Sequence, residues 1–231
     1  MAPTLADPFQ DYSALFEFVI NQGNGVKGLS ELGLKVLPKQ YIQPLEERTC
    51  MSNIVPQESI PIIDMSNWQD PEMAKSICDA ASKWGFFQIV NYDVPIHVLD
   101  NVKDATYREQ VLDYMKKSEV VIKQLLQILM KGCHSDFSTL TILLQDEIRG
   151  LFVRENDGDN WIHVPPIKGS LVINVGDTLQ IMTNRRYRSV EQRVVANGSN
   201  NIISVPIFVN PRPSDMLRPL LELIVSGEKL V

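Results

Sequence analysis

Apolar residues in the first part of this chain recur at helical spacing, and from about residue 139 onward they fall in short alternating runs instead. Ser13 to Asn21 predicts a short helix, with Leu15, Phe16, Val19 and Ile20 on one side. Gly23, Gly25 and Gly28 then punctuate a loop, and Pro38 and Pro44 bracket Lys39–Ile42 as an extended connector. Ile60–Asp64 is a short apolar strand. Asp70 followed by Pro71 predicts a helix start, an N-cap acceptor before a proline at the first helical position, and the helix continues to about Lys83. Trp84–Val90 predicts a buried strand, and Pro95 opens another helix. The clearest helix is Val111–Lys131: Leu112, Met115, Ile122, Leu125, Leu126 and Leu129 form an apolar stripe that Gly132 ends, and such a stripe is core.

Seven short strands are predicted in the remainder: Thr139–Gln145, Gly150–Arg154, Trp161–Val164, Ser170–Asn174, Leu179–Thr183, Ser189–Val195 and Ile202–Val209. Turn-forming clusters such as Asn156-Asp157-Gly158-Asp159 and Asn197-Gly198-Ser199-Asn200 separate them. Many short strands at close spacing predict a sandwich or jelly roll, and helices followed by strands make the whole chain α+β.

Composition narrows the function without choosing it. At 231 residues, with 44% hydrophobic and 22% charged positions, the chain can bury a sizeable core and fits one domain with an N-terminal extension. A net charge of −6 argues against a general nucleic-acid binder. Cys50, Cys78 and Cys133 are odd in number and lack metal-ligand spacing, which favours a reducing compartment. No apolar run is long enough to span a membrane and no leader is evident, so a soluble cytoplasmic protein is expected.

Candidate chemistry centres on Cys133–Ser214. His134 and Asp136, two apart on an extended segment, point to one face and offer two corners of a 2-His-1-carboxylate site for non-haem Fe(II). The third corner is expected as a histidine on a later strand; within Ser189–Val195 the chain carries Gln192. An amide oxygen is a weaker Fe(II) ligand than imidazole, and Glu191 faces the other way on the same strand. His97 and His163 are the other histidines, and His163 is read as a rim residue. Arg185, Arg186, Arg188 and Arg193 concentrate positive charge that could meet phosphates, although a solvated hairpin is the plainer reading. Cys133 beside His134 faces the opposite side, as a small hydrophobe would.

The chain resembles the plant branch of the Fe(II)/2-oxoglutarate-dependent dioxygenases, and within it the feruloyl-CoA ortho-hydroxylases of coumarin formation. Carrying the resemblance are Gly25–Leu29, Leu37–Ile42, Trp84–Gln88, Ser138–Gln145, Trp161–Pro166, Gly169–Asp177, Val194–Asn200 and Ser204–Ser214. It implies a double-stranded β-helix with helical packing, Fe(II), 2-oxoglutarate and ascorbate as cofactors, and a small acyl-CoA substrate. It implies iron on His134, Asp136 and a distal position that here is Gln192, and a co-substrate carboxylate held by an Arg-x-Ser pair that here is Ile202 and Ser204. It divides the chain into an N-terminal region over 1–107, a long helix over 108–132 and a jelly-roll region over 133–231. Segments the family carries before His134 and near Tyr107-Arg108 are short or missing, so early core strands are expected to be absent and a core face uncovered. Three functions are weighed: hydroxylation of a hydroxycinnamoyl-CoA, a non-catalytic remnant of such an enzyme, and a metal-independent binding jelly roll.

Overall fold

A computed structural model describes residues 9, 11–42, 59–103, 108–129, 140–148, 150–155, 158, 160–195, 202–211, 214 and 216–220. The chain divides into two compact units, Met1–Met51 and Ser52–Val231.

In the first unit α1 (Tyr12–Phe16) starts where Asp11 accepts a hydrogen bond from the Ala14 N–H at 2.7 Å, and it runs on into a π-helical turn at Glu17–Asn21. Gly23 lies in a loop as expected, but Gly25–Glu31 is a helix, α2, and Lys39–Tyr41 makes a 3-10 turn rather than an extended connector. Leu29 explains the first correction. It buries with Phe9 and Leu15, and that contact outweighs the low helix propensity of Gly25 and Gly28. The Phe9 and Phe18 rings stand 5.4 Å apart at the centre of this small cluster.

The second unit is built on two sheets. β1 (Ile62–Asp64), β2 (Phe86–Val90), β6 (Leu171–Val175), β3 (Leu140–Gln145) and β8 (Ser204–Val209) form a five-stranded sheet in the spatial order β1-β2-β6-β3-β8. β5 (Trp161–His163), β4 (Leu151–Arg154) and β7 (Gln192–Val194) form a three-stranded sheet in the order β5-β4-β7. All pairings are antiparallel except β1 with β2.

Three helices cover one face of the larger sheet. α3 (Pro71–Lys83) begins as expected: Asp70 accepts from the Glu72 N–H at 2.9 Å and Pro71 occupies the first helical position. Met73, Ile77, Ala80 and Ala81 of α3, Val98, Leu99 and Val102 of α4 (Ile96–Lys103), and Val121, Leu125, Ile128 and Leu129 of α5 (Arg108–Leu129) pack onto Phe87, Ile89, Ile142, Leu144, Leu171 and Ile173. The buried stripe of α5 is rotated from the expected one. Tyr114 and Ser118 are fully buried, whereas Leu112 is 40% and Met115 49% exposed. Hydrophobicity alone hid this, because two of the inward positions carry hydroxyls.

The opposite face of the larger sheet looks at the smaller one. Phe86, Val172 and Leu143 meet Leu151, Val153, Ile162 and Val164 there, forming a second core between the sheets. One predicted strand is not a strand: Leu179–Thr183 belongs to α6 (Asp177–Met182). Leu179 and Met182, three apart, are the buried pair, and Asp177 lies in the first turn where the helix dipole favours an acid. Five residues are too few for a period of 2 to be told from one of 3.6.

Candidate functional site

Antiparallel partners share a face, so the register of the small sheet fixes which way each candidate points. Gln192 is opposite Val153, and Val153 belongs to the core between the sheets. Gln192 therefore faces the inter-sheet side, and its side chain is exposed at that opening. Arg193 is opposite Phe152 on the outer face, as is His163 from the other edge. The Arg193 guanidinium sits 4.2 Å from the centroid of the Trp161 ring, and the His163 and Phe152 rings are 5.2 Å apart. His163 thus stands on the face away from Gln192 and cannot complete a site there.

Glu191 is committed as well. Its carboxylate accepts from Arg154 Nη1 at 2.9 Å, and its carbonyl accepts from the Arg154 N–H at 2.9 Å. Substituting for Gln192 would require the strand to turn over and both contacts to break. His97 is exposed on α4, and Cys78 is half-buried with its thiol near Tyr187 Oη at 3.5 Å. Arg185, Arg186 and Arg188 are exposed in the segment after α6.

The other end of the inter-sheet space is framed by β3 and β8. Leu143 faces the smaller sheet, so Gln145, two residues on, faces it too, and Ser204 lies directly opposite Gln145 in the ladder. Ile202 sits against Gly150: a Cβ on that glycine would come 2.9 Å from Ile202 Cδ1 and 2.9 Å from the Val195 carbonyl oxygen. Asp146 closes this end. Its N–H donates to the Ile203 carbonyl at 3.0 Å, and its carboxylate accepts from the N–H groups of Ile148 and Ile203. Gln145 and Asp146 were not singled out from the sequence, although the alternation of Leu140–Gln145 places Gln145 beside Leu143. His134 and Asp136 lie outside the described residues. Among the described residues no group of three or more His, Cys, Asp or Glu side chains converges on one point.

The sequence profile of the 2OG-Fe(II) oxygenase superfamily matches residues 88–211. This chain belongs to that superfamily. It is 42% identical to the feruloyl CoA ortho-hydroxylase F6H1-2 of Ipomoea batatas, with 95% of this chain and 89% of that protein covered. It is 39% identical to feruloyl CoA ortho-hydroxylase 1 of Arabidopsis thaliana, with 99% and 91% covered. It is also 40% identical to the bi-functional coumaroyl CoA and feruloyl CoA ortho-hydroxylase Diox4 of Ruta graveolens, with 96% and 88% covered. The first of these alignments runs over 319 positions against a chain of 231 residues, so the relatives carry internal segments that this oxygenase lacks. The crystal structure of JOX2 in complex with 2OG, Fe and JA superposes with a TM-score of 0.68 over 86% of both chains at 24% identity. The two facing sheets are thus the jelly roll of the 2OG oxygenases, and the expected fold class holds.

The superfamily works with Fe(II) and 2-oxoglutarate. The described residues of this chain fit neither well. Gln192 brings a neutral amide to the inner face, a group that suits harder cations better than Fe(II). Ile202, wedged at Gly150, brings no charge to a carboxylate, and its neighbour Asp146 carries a negative one.

Proposed function

We propose that this oxygenase derives from enzymes that ortho-hydroxylate a hydroxycinnamoyl-CoA and that its own turnover is impaired. Support for the substrate class comes from the relatives, whose names specify feruloyl CoA and coumaroyl CoA and whose likeness extends over nearly the whole chain. The impairment is supported by Gln192, which is in register with Val153 on the inner face and which we read as standing where the resemblance leads to a histidine. His134 and Asp136 are the remaining metal-binding pair in this reading, and Ser204 is the remaining co-substrate contact. No step of the oxygenation can be assigned to Gln192 or Ile202, since neither side chain carries a charge or a titratable proton. A cytoplasmic location belongs to the same reading; no described helix is long and apolar enough to cross a membrane.

The test is succinate formation from 2-oxoglutarate with Fe(II), ascorbate and feruloyl-CoA, run beside an intact relative. The expected rate is at least about a hundredfold lower than the relative's, because a ligand and a charge partner are both replaced. A rate within severalfold of the relative's would overturn the reading.

A further inference from the structure

We propose that Arg185, Arg186 and Arg188 form a phosphate-binding turn, which takes the diphosphate and ribose phosphate of a coenzyme A thioester while the acyl end enters the inter-sheet space. The inference rests on the reading above that the substrate is a hydroxycinnamoyl-CoA. Between Asp177 and Glu191 the sequence carries no acid, in a chain whose net charge is −6, so the three arginines make a local positive field against the overall one. Each of them is exposed. Arginine suits this ligand, because its planar fork donates two parallel N–H bonds to phosphate oxygens.

A solvated hairpin is the plainer reading of the sequence, but in the structure this stretch is a turn fixed at nearly every residue. The N–H groups of Arg185, Arg186 and Arg188 donate to the carbonyls of Gln180 at 2.8 Å, Thr183 at 3.0 Å and Ala81 at 3.1 Å. The Ser189 N–H donates to Gln180 Oε1 at 2.8 Å. Tyr187, between two of the arginines, is buried, and its Oη donates to the Leu129 carbonyl at 3.0 Å. Asn184 and Arg185 hold φ values of +49° and +63°, a left-handed backbone that asparagine tolerates and arginine rarely adopts. A charged side chain kept where glycine would relax the chain is the kind of local strain found at binding sites. A fixed turn also presents its charges with little ordering left to lose on binding.

The turn leads into the opening at Gln192. The Arg188 carbonyl and Val190 Cγ1 pack against Gly85, just before β2, and Lys83, exposed two residues earlier, adds a fourth cation next to that contact. Gln192 follows on the same segment, exposed on the inner face. Coenzyme A carries its phosphates at the far end of the pantetheine arm from the thioester, so phosphates held outside the opening leave the acyl group free to enter it.

Saturation-transfer NMR on the full chain with feruloyl-CoA reads both ends of the ligand, the feruloyl ring and the adenine. Both are expected to receive saturation from the unmodified chain. Replacing the cluster together (Arg185→Gln, Arg186→Gln and Arg188→Gln) is expected to raise the dissociation constant read at the adenine at least about tenfold. If that variant does not fold, Arg185→Gly serves: it relieves the left-handed backbone, so it should melt higher than the unmodified chain yet bind the adenine end about threefold more weakly. An unchanged dissociation constant in either variant, or saturation of the feruloyl ring without the adenine, would overturn the inference and leave the acyl-CoA reading standing. Absence of saturation at both ends at millimolar concentration would overturn the two together.

Discussion

Gly85 joins α3 to β2 and decides how the segment leading to Gln192 is held. Its φ is +66°, a region costly for a residue with a side chain. A Cβ there would lie 2.2 Å from the Arg188 carbonyl oxygen, 3.1 Å from its carbon and 3.2 Å from Val190 Cγ1. The nearest obstacle is backbone and cannot rotate away. Arg188 is itself tied down, since its N–H donates to the Ala81 carbonyl at 3.1 Å. The Val175 N–H donates to the Gly85 carbonyl at 2.9 Å, so Gly85 cannot retreat without loosening β6. Gly85→Ala must therefore accept the left-handed backbone, about 1–2 kcal/mol, and surrender one or two backbone hydrogen bonds at about 1 kcal/mol each. The sum is about 3 kcal/mol, a large share of the stability of an ordinary domain. Urea unfolding followed by far-UV circular dichroism should show the midpoint falling by about 1–2 M at unchanged slope. A loss below about 1 kcal/mol would refute the argument and show that Arg188 is not pinned at this turn.

The buried hydroxyls of Tyr92 and Tyr114 should answer differently to deletion. Tyr92 Oη donates to the Gly169 carbonyl at 2.8 Å, so Tyr92→Phe should cost about 1 kcal/mol; Tyr114 Oη is buried without a formed hydrogen bond, so Tyr114→Phe should be neutral or stabilising in the same urea assay. Burial raises both phenols, Tyr114 to about 12. The unfolded chain ionises first, near pH 10, and holds fewer protons, so stability is full below pH 10 and falls as pH rises through about 12; melting temperature against pH should show that slope, shallower in Tyr114→Phe, and a flat profile would contradict it. Phe208, 65% exposed on the edge strand β8, should limit solubility: Phe208→Glu should sharpen the light-scattering profile at a stability cost below about 0.5 kcal/mol, and an unchanged profile would place the aggregating surface elsewhere.

Much of this architecture was legible from residue pattern. Asp70-Pro71 set a helix start to the residue, and the short apolar runs at Thr139–Gln145 and Ser170–Asn174 marked strands that the structure keeps as Leu140–Gln145 and Leu171–Val175. The misses share a cause, which is that local pattern was outweighed by packing. Gly25 and Gly28 read as breakers, yet Leu29 needs a helix to reach Phe9 and Leu15. Tyr114 and Ser118 are not among the stripe residues expected for α5, yet they lie fully buried on it. Leu179–Thr183 was too short for its period to be resolved. At the site, the sequence named Gln192, Ile202 and Ser204 through resemblance, and the ladder supplied what resemblance cannot: Gln192 and Ser204 face the inter-sheet space, Ile202 packs at Gly150, and Glu191 and Arg193 turn away. Gln145 escaped notice because a glutamine at a strand end has no signature until its neighbours are known.

The central claim is that Gln192 cripples a metal site otherwise formed by His134 and Asp136. Titrating the full chain with Co(II), read by its visible absorption, against the Gln192→His variant tests that directly. The variant should bind at least about tenfold more tightly, as exchange of a carbonyl for an imidazole ligand implies. Equal affinity in the two chains would contradict the account.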